Sequence, residues 1–136
     1  RKQKDVKNLS VFGRNLGIAF QITDDLIGII GDSKITKKPV GNDIREGKKS
    51  LPIILAIKKA RGQNRTKIMR VFGNSGASKQ QINLAVNVIR SLGVEKEVRN
   101  IALKYAQRAE KSISSYTGSA KNEMAGLLNF VTKRSL

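Results

Sequence analysis

The sequence contains no cysteine and no histidine, and each absence excludes a class of chemistry. Disulfide bonds, zinc sites built on thiolate or imidazole, and acid–base catalysis by histidine are all ruled out. A bound metal would have to be held by oxygen ligands, which favours a hard ion such as Mg²⁺. Aromatic residues make up 4% of the chain and tryptophan is absent, so platforms on which nucleic-acid bases could stack are scarce.

Long apolar runs are missing as well. No run approaches the roughly 18 residues that a membrane-spanning helix needs, and the first residues do not have the pattern of a signal peptide. We therefore expect a cytoplasmic protein with no membrane span.

Acidic residues are few, because 10 aspartates and glutamates stand against 27 lysines and arginines, a net charge of +17. Nucleic acid, anionic lipid and phosphorylated small molecules are all candidate partners for such a chain. The basic residues form two groups. The first basic group, residues 33–50, also contains Asp43 and Glu46, whereas the second basic group, residues 58–70, contains no acid. The simplest interpretation of the second basic group is a solvated surface.

Apolar residues recur with helical periodicity nearly throughout, and no strand pattern of convincing length is present. The predicted fold class is therefore all-α. Residues 8–30 are apolar on almost every side, which indicates a central and buried helix. Residues 31–49 contain glycine, proline and many charges, and are predicted to form an ordered loop. Further helices are predicted over residues 52–60, 65–72, 78–92, 94–116 and 120–133.

Two serines are predicted to cap helices. Ser50 precedes Leu51 and Pro52, and a capping hydroxyl followed by proline in the first turn is a typical helix start. Ser78 is in the same position before the apolar stripe of residues 82–89.

The informative anomaly lies inside the most apolar helix. Asp24 and Asp25 stand between apolar residues, where removal of a carboxylate from water costs several kcal/mol unless a cation compensates it. With Gln21 and Gly28 they form one polar stripe at helical spacing. The stripe must face a charged partner or a water-filled cavity. One interpretation is that the two acids pair with lysine or arginine from a neighbouring helix.

The loop that follows favours a second interpretation. It contains Lys38 and Lys48, and its glycines Gly41 and Gly47 allow backbone amides to approach an anion closely. If the loop folds back over the end of the helix, carboxylates with Mg²⁺ on one side and ammonium groups on the other form a clamp for a diphosphate.

Two segments resemble motifs of a known family. Residues 17–32, GIAFQITDDLIGIIGD, are similar to the second aspartate-rich motif of trans-isoprenyl diphosphate synthases, and residues 38–52, KPVGNDIREGKKSLP, are similar to the loop and helix start that follow it. Archaeal-type geranylgeranyl and farnesyl diphosphate synthases are the nearest resemblance. It implies that residues 1–136 are the C-terminal portion of a single polyprenyl synthase domain, part of an isoprenoid-synthase helical bundle whose N-terminal half is absent.

The resemblance also implies the roles of the acidic residues. Asp24 would bind Mg²⁺ directly, and Asp25 would bind it through water or by orienting Asp24. Together with Gln21 they form the implied catalytic set. The family motif usually ends in a third aspartate, and here that position is Gly28. A water-mediated metal contact is therefore in question at this position.

Substrate-binding roles follow from the same resemblance. Lys38 and Lys48 match the two lysines that hold the allylic diphosphate in the family. Phe20 and Gln21 would line the site near the developing allylic cation, although Phe20 fits plain core packing equally well. Two further cations of the loop are assigned to solvent, Arg45 and Lys49.

The implied activity is prenyl transfer, the condensation of isopentenyl diphosphate with an allylic diphosphate. The family uses two aspartate-rich motifs on facing helices, and the sole Asp-Asp pair of this chain is Asp24-Asp25. We therefore expect the chain to be inactive by itself. We also expect it to form a homodimer or to associate with the missing N-terminal half.

Two alternatives stay open. A basic helical nucleic-acid-binding module would account for the charge, but it leaves two carboxylates inside an apolar helix unexplained. A non-catalytic subunit of a heteromeric synthase would keep the fold and lose the reaction.

Overall fold

The computed structural model describes residues 2–31 and 40–132, and within these ranges it contains seven helices and no strand. The all-α prediction is thereby confirmed. The helices are α1 (Lys2–Ile30), α2 (Asn42–Arg45), α3 (Leu51–Lys59), α4 (Gly62–Val71), α5 (Lys79–Ser91), α6 (Val94–Ser112) and α7 (Ser119–Thr132). No helix among the described residues is long and apolar enough to cross a membrane.

The chain divides into two compact units. The terminal unit comprises Arg1–Thr23 and Arg99–Ser135, and the central unit comprises Asp24–Val98. The long helices α1 and α6 each contribute one part to each unit. In the terminal unit, apolar side chains from α1, α6, α7 and the turn that follows α6 form a buried cluster. Its buried members are Phe12, Ala19, Ala106, Ala109, Ile113, Leu128 and Val131.

The central unit consists of the last turns of α1, the helices α2, α3, α4 and α5, and the start of α6. Leu26 and Ile29 of α1 are fully buried, as are Ile44 of α2 and Ile53 of α3. The guanidinium of Arg90 on α5 donates a hydrogen bond of 2.6 Å to the carbonyl oxygen of Ile30. This bond satisfies one of the carbonyls left unpaired at the C-terminal end of α1.

The two predicted serine caps differ in the structure. Ser78 forms a full capping box. Its hydroxyl accepts a hydrogen bond from the backbone N–H of Gln81 at 3.1 Å, and its own backbone N–H donates to Gln81 Oε1 at 2.9 Å. Ser50 occupies the N-cap position of α3, but its hydroxyl makes no capping hydrogen bond. That part of the prediction is wrong. Pro52 stands at the second helical position and has no N–H, which removes one of the two donors an N-cap hydroxyl can use.

α1 is longer than predicted, and it is not buried along its whole length. It begins at Lys2, and Val6, Leu9 and Phe20 are exposed, whereas residues 25–31 are all buried. Helix α6 ends at Ser112, earlier than predicted, and residues 113–115 form turns. The predicted loop also differs, since α2 forms inside it.

Candidate functional site

The two adjacent acids lie six and five positions before the end of α1 and belong to the central unit. Asp25 is only 8% exposed, while Asp24 is half-buried. Leu26 and Ile27, which follow directly, are buried in the core. A carboxylate this deeply buried requires a compensating charge or several hydrogen bonds.

Lys48 supplies that charge. Its Nζ lies 2.8 Å from Asp25 Oδ1 and 3.8 Å from Asp43 Oδ2, and Asp43 is itself only 5% exposed. The hydrogen bond to Asp25, reinforced by the charges of Asp25, Asp43 and Asp24, raises the pKa of Lys48 above its ordinary value, although partial burial acts in the opposite direction. The ammonium group is therefore held in its protonated form. The side chain of Lys48 stays 43% exposed, so an anion arriving from solvent can reach it.

Two glycines allow the chain to bring Lys48 to this position. Gly41 and Gly47 have φ values of 76° and 75°, a left-handed conformation that side chains other than glycine rarely adopt. A Cβ atom on Gly41 would lie 2.4 Å from Ile82 Cγ2. Between the glycines, α2 makes a single turn, and the Lys48 amide then donates to the Asp43 carbonyl at 3.0 Å. Asp43 and Lys48 are thus fixed relative to each other by the backbone.

Gly28 leaves the space that the Asp43 carboxylate occupies. A Cβ atom on Gly28 would lie 2.2 Å from Asp43 Oδ2 and 2.7 Å from its carboxyl carbon. The Asp43 carboxylate therefore fills the space that a side chain at position 28 would need. The last position of the polar stripe, Gly28, has no side chain, but the Asp43 carboxylate of α2 lies directly against it.

Sequence reasoning missed the part played by Asp43. In the sequence Asp43 is only one of two acids within the first basic group. The signal that could have revealed it was the glycine at position 28, because a glycine inside a buried helix often marks the close approach of another segment.

The remaining predicted residues fall in three places. Lys38 lies outside the described residues. Phe20 and Gln21 lie on α1 one turn before Asp24, within the terminal unit, and both are exposed. Phe20 is 41% exposed, so it does not belong to the buried core of the described residues. Lys49 is exposed as expected, whereas Arg45 is half-buried and donates to Asn42 Oδ1 at 3.3 Å.

Residues 1–89 match the family model described as polyprenyl synthetase. The chain belongs to the polyprenyl synthetase family. It is 36% identical to the geranylgeranyl diphosphate synthase of Sulfolobus acidocaldarius over 122 residues, which are 90% of this chain and 36% of that protein.

Solved structures of the family have the same fold. The geranylgeranyl pyrophosphate synthetase of Pyrococcus horikoshii superposes with a TM-score of 0.85 at 31% identity, over 98% of this chain and 40% of that one. A geranylgeranyl pyrophosphate synthase from Corynebacterium glutamicum, solved with isoprenyl diphosphate and magnesium, superposes with a TM-score of 0.88 at 30% identity, over 97% and 38% of the two chains. The chain thus spans about two-fifths of the length of these relatives.

The acidic residues of the site suit Mg²⁺ in part. Asp24 and Asp25 offer carboxylate oxygens, and Mg²⁺ in proteins is commonly held by one or two carboxylates completed by phosphate oxygens and water. Within residues 2–31 and 40–132, no group of three or more acidic side chains is arranged to hold an ion by itself. The pair therefore fits a metal that arrives with a phosphorylated ligand.

Proposed function

We propose that this chain supplies the second aspartate-rich motif, and the lysine that binds a diphosphate, in a prenyltransferase that condenses isopentenyl diphosphate with an allylic diphosphate. The supporting observation is the 2.8 Å contact between Lys48 Nζ and the buried Asp25 carboxylate. Family membership supports the reaction class. The similar proteins named above are synthases of geranylgeranyl diphosphate, and one of them was solved with isoprenyl diphosphate and magnesium.

Lys48 would bind the diphosphate as it leaves the allylic carbon. Charge grows on the departing oxygens as the carbon–oxygen bond breaks, and a cation already held in position stabilises that charge without reorganising. Asp25 and Asp43 keep Lys48 protonated and limit its movement, while its exposed side remains open to the ligand. Lys38 is proposed to be the second diphosphate-binding lysine.

Asp24 would hold Mg²⁺ directly, and Asp25, which also pairs with Lys48, would reach the metal through water or orient Asp24. When bound, the metal neutralises the negative charge of the diphosphate and so makes it a better leaving group. Phe20 and Gln21, one turn earlier on α1, are proposed to face the developing allylic cation. The exposure of Phe20 is consistent with a ring that contacts a ligand.

The complete reaction needs a second set of carboxylates that this sequence does not contain. Asp24-Asp25 is its sole Asp-Asp pair, whereas the family divides the metal ligands between two aspartate-rich motifs on facing helices. We propose that residues 1–136 form the C-terminal portion of one synthase domain and act as a homodimer or with an N-terminal half. With Mg²⁺, isopentenyl diphosphate and an allylic diphosphate, this chain alone is expected to give no product. Clear turnover would contradict the proposed division of the site.

Diphosphate binding can be tested on the chain itself. Titration with inorganic pyrophosphate in the presence of Mg²⁺ should show binding that Lys48→Met weakens by roughly tenfold or more, since a hydrogen bond to a charged group is lost. Lys49→Met is the matched control, because it removes the same charge from an exposed neighbour.

The same titration contains the result that would overturn the proposal. Equal weakening by Lys48→Met and Lys49→Met would mean that only net charge matters, and binding that does not depend on Mg²⁺ would remove Asp24 and Asp25 from the site. Circular dichroism should be recorded for both variants, so that unfolding is not mistaken for lost binding.

A further inference from the structure

The second basic group belongs to a longer stretch without any acid. From Gly47 to Val94 the sequence contains ten lysines and arginines and no aspartate or glutamate, although it folds as most of the central unit. The site described above uses Lys48 alone of these cations. The other nine carry charge that the proposed reaction does not require.

Helix α4 concentrates this charge on one face. Ile68 and Val71 are fully buried, which fixes the orientation of the helix and leaves the opposite side in solvent. Arg65, Met69 and Arg70 line a shallow depression on that side together with Gly62 and Thr66. These residues and Arg61, the N-cap of α4, are termed the α4 face.

Two arginines of the α4 face, Arg61 and Arg65, are held by backbone carbonyls, and no ion pair to them is seen among residues 2–31 and 40–132. Arg61 donates to the carbonyl oxygens of Lys58 and Ala60 at 2.7 and 2.9 Å, and Arg65 is directed toward that of Ile57 at 3.5 Å. These contacts orient the guanidinium groups at the end of α3 but leave their full charge available. Lys59 differs, because it forms an ion pair with Glu97.

An exposed apolar side chain lies among these cations. Met69 is 45% exposed and is flanked on its helix by Arg65 and Arg70. Water solvates this apolar side chain poorly, whereas an acyl-chain boundary beside anionic headgroups would accommodate both it and the arginines.

We propose that the α4 face docks on an anionic lipid bilayer. Each lysine or arginine close to an anionic membrane adds attraction, and a partly inserted aliphatic side chain adds to it. Nucleic acid fits less well, because the α4 face has no aromatic ring for stacking on bases and exposes an aliphatic side chain instead. The contact is peripheral, since α4 has 10 residues and lies with one side in the core of its unit.

Vesicle co-sedimentation tests this proposal on the whole chain. The protein should bind phosphatidylcholine vesicles that contain phosphatidylserine and should not bind vesicles of phosphatidylcholine alone. Arg65→Gln combined with Arg70→Gln should weaken binding by roughly tenfold or more, given the attraction that each basic residue contributes. Arg14→Gln combined with Lys104→Gln is the matched control, because it removes the same charge from exposed positions of the terminal unit.

A second pair of variants separates lipid from other polyanions. Met69→Gln should weaken vesicle binding, whereas Leu103→Gln, at an equally exposed position, should not. If the Arg65/Arg70 and Arg14/Lys104 double variants lost vesicle binding equally, only net charge would matter, and the proposal would be overturned. The α4 face would be assigned to nucleic acid instead if the protein bound duplex DNA but not anionic vesicles. In that case the arginine variants of the α4 face would weaken DNA binding, and Met69→Gln would leave it unchanged.

Discussion

The two basic groups of the chain are built from the same residue types but have different surroundings. In the first, Lys48 lies against the buried carboxylates of Asp25 and Asp43. In the second, Arg61 and Arg65 are directed at backbone carbonyls. A cation is therefore fixed into a site when its partner is a buried carboxylate, because a buried carboxylate depends on its cation whereas a surface cation is well solvated.

The largest effect is expected where the acidic side of the first group is disturbed. Gly28→Asp would restore the usual third aspartate of the family motif, but its Cβ atom would collide with the Asp43 carboxylate and a further charge would be buried. We expect the free energy of unfolding to fall by about 3 kcal/mol or more. Chemical denaturation measures this loss.

Two variants sharpen this prediction. Gly17→Asp changes the same residue type on the same helix at an exposed position with open space around it, and should cost about 1 kcal/mol or less. Adding Asp43→Ala to Gly28→Asp removes the colliding atoms and should recover most of the lost stability. A double variant no more stable than Gly28→Asp alone would show that Asp43 does not fill the place of that side chain.

Removing the cation of the first group should have an intermediate effect. Lys48→Met leaves Asp25 and Asp43 buried without their ammonium group, yet the lysine is partly screened by solvent, so we expect a loss of about 1–2 kcal/mol. Thermal unfolding without divalent cations measures it.

The pH dependence of that difference follows from the raised pKa of Lys48. A raised pKa in the folded state means that the folded protein holds the proton more tightly than the unfolded chain does. The stabilisation is therefore complete below the ordinary lysine value of about 10.5 and is lost as pH rises through the folded-state pKa. Wild type and Lys48→Met should converge in Tm above that pH, and a gap that persisted there would mean that packing, not charge, causes the difference.

The smallest effect is expected beside the second group. Glu97→Gln removes the partner of Lys59, and both side chains are more than a third exposed. We expect a loss of about 0.5 kcal/mol, which high salt should abolish. If Glu97→Gln lowered the free energy of unfolding as much as Lys48→Met does, the two basic groups would not differ in the way described.

Local patterns in the sequence predicted the helices, and the reasons are local as well. The apolar stripe of α5 and its capping box at Ser78 depend on residues within a few positions of one another. Ser50 shows where this reasoning stops, because the same residue type in the same position makes no capping bond when proline follows. The exposure of Phe20 could not be predicted from the pattern either, since an apolar residue in a helix does not show whether another segment packs against it.

The amino-acid pattern alone is enough to predict the all-α class and the family, and to show that two acids in an apolar helix need compensation. Each of these depends on residue type and short spacing. Folding brings Lys48, 23 positions after Asp25, to the buried carboxylate and places Asp43 in the space left by Gly28, and no sequence pattern reveals either contact. Contacts of this kind depend on how the backbone turns at Gly41 and Gly47 and on which atoms then compete for the same volume, and neither is encoded in periodicity.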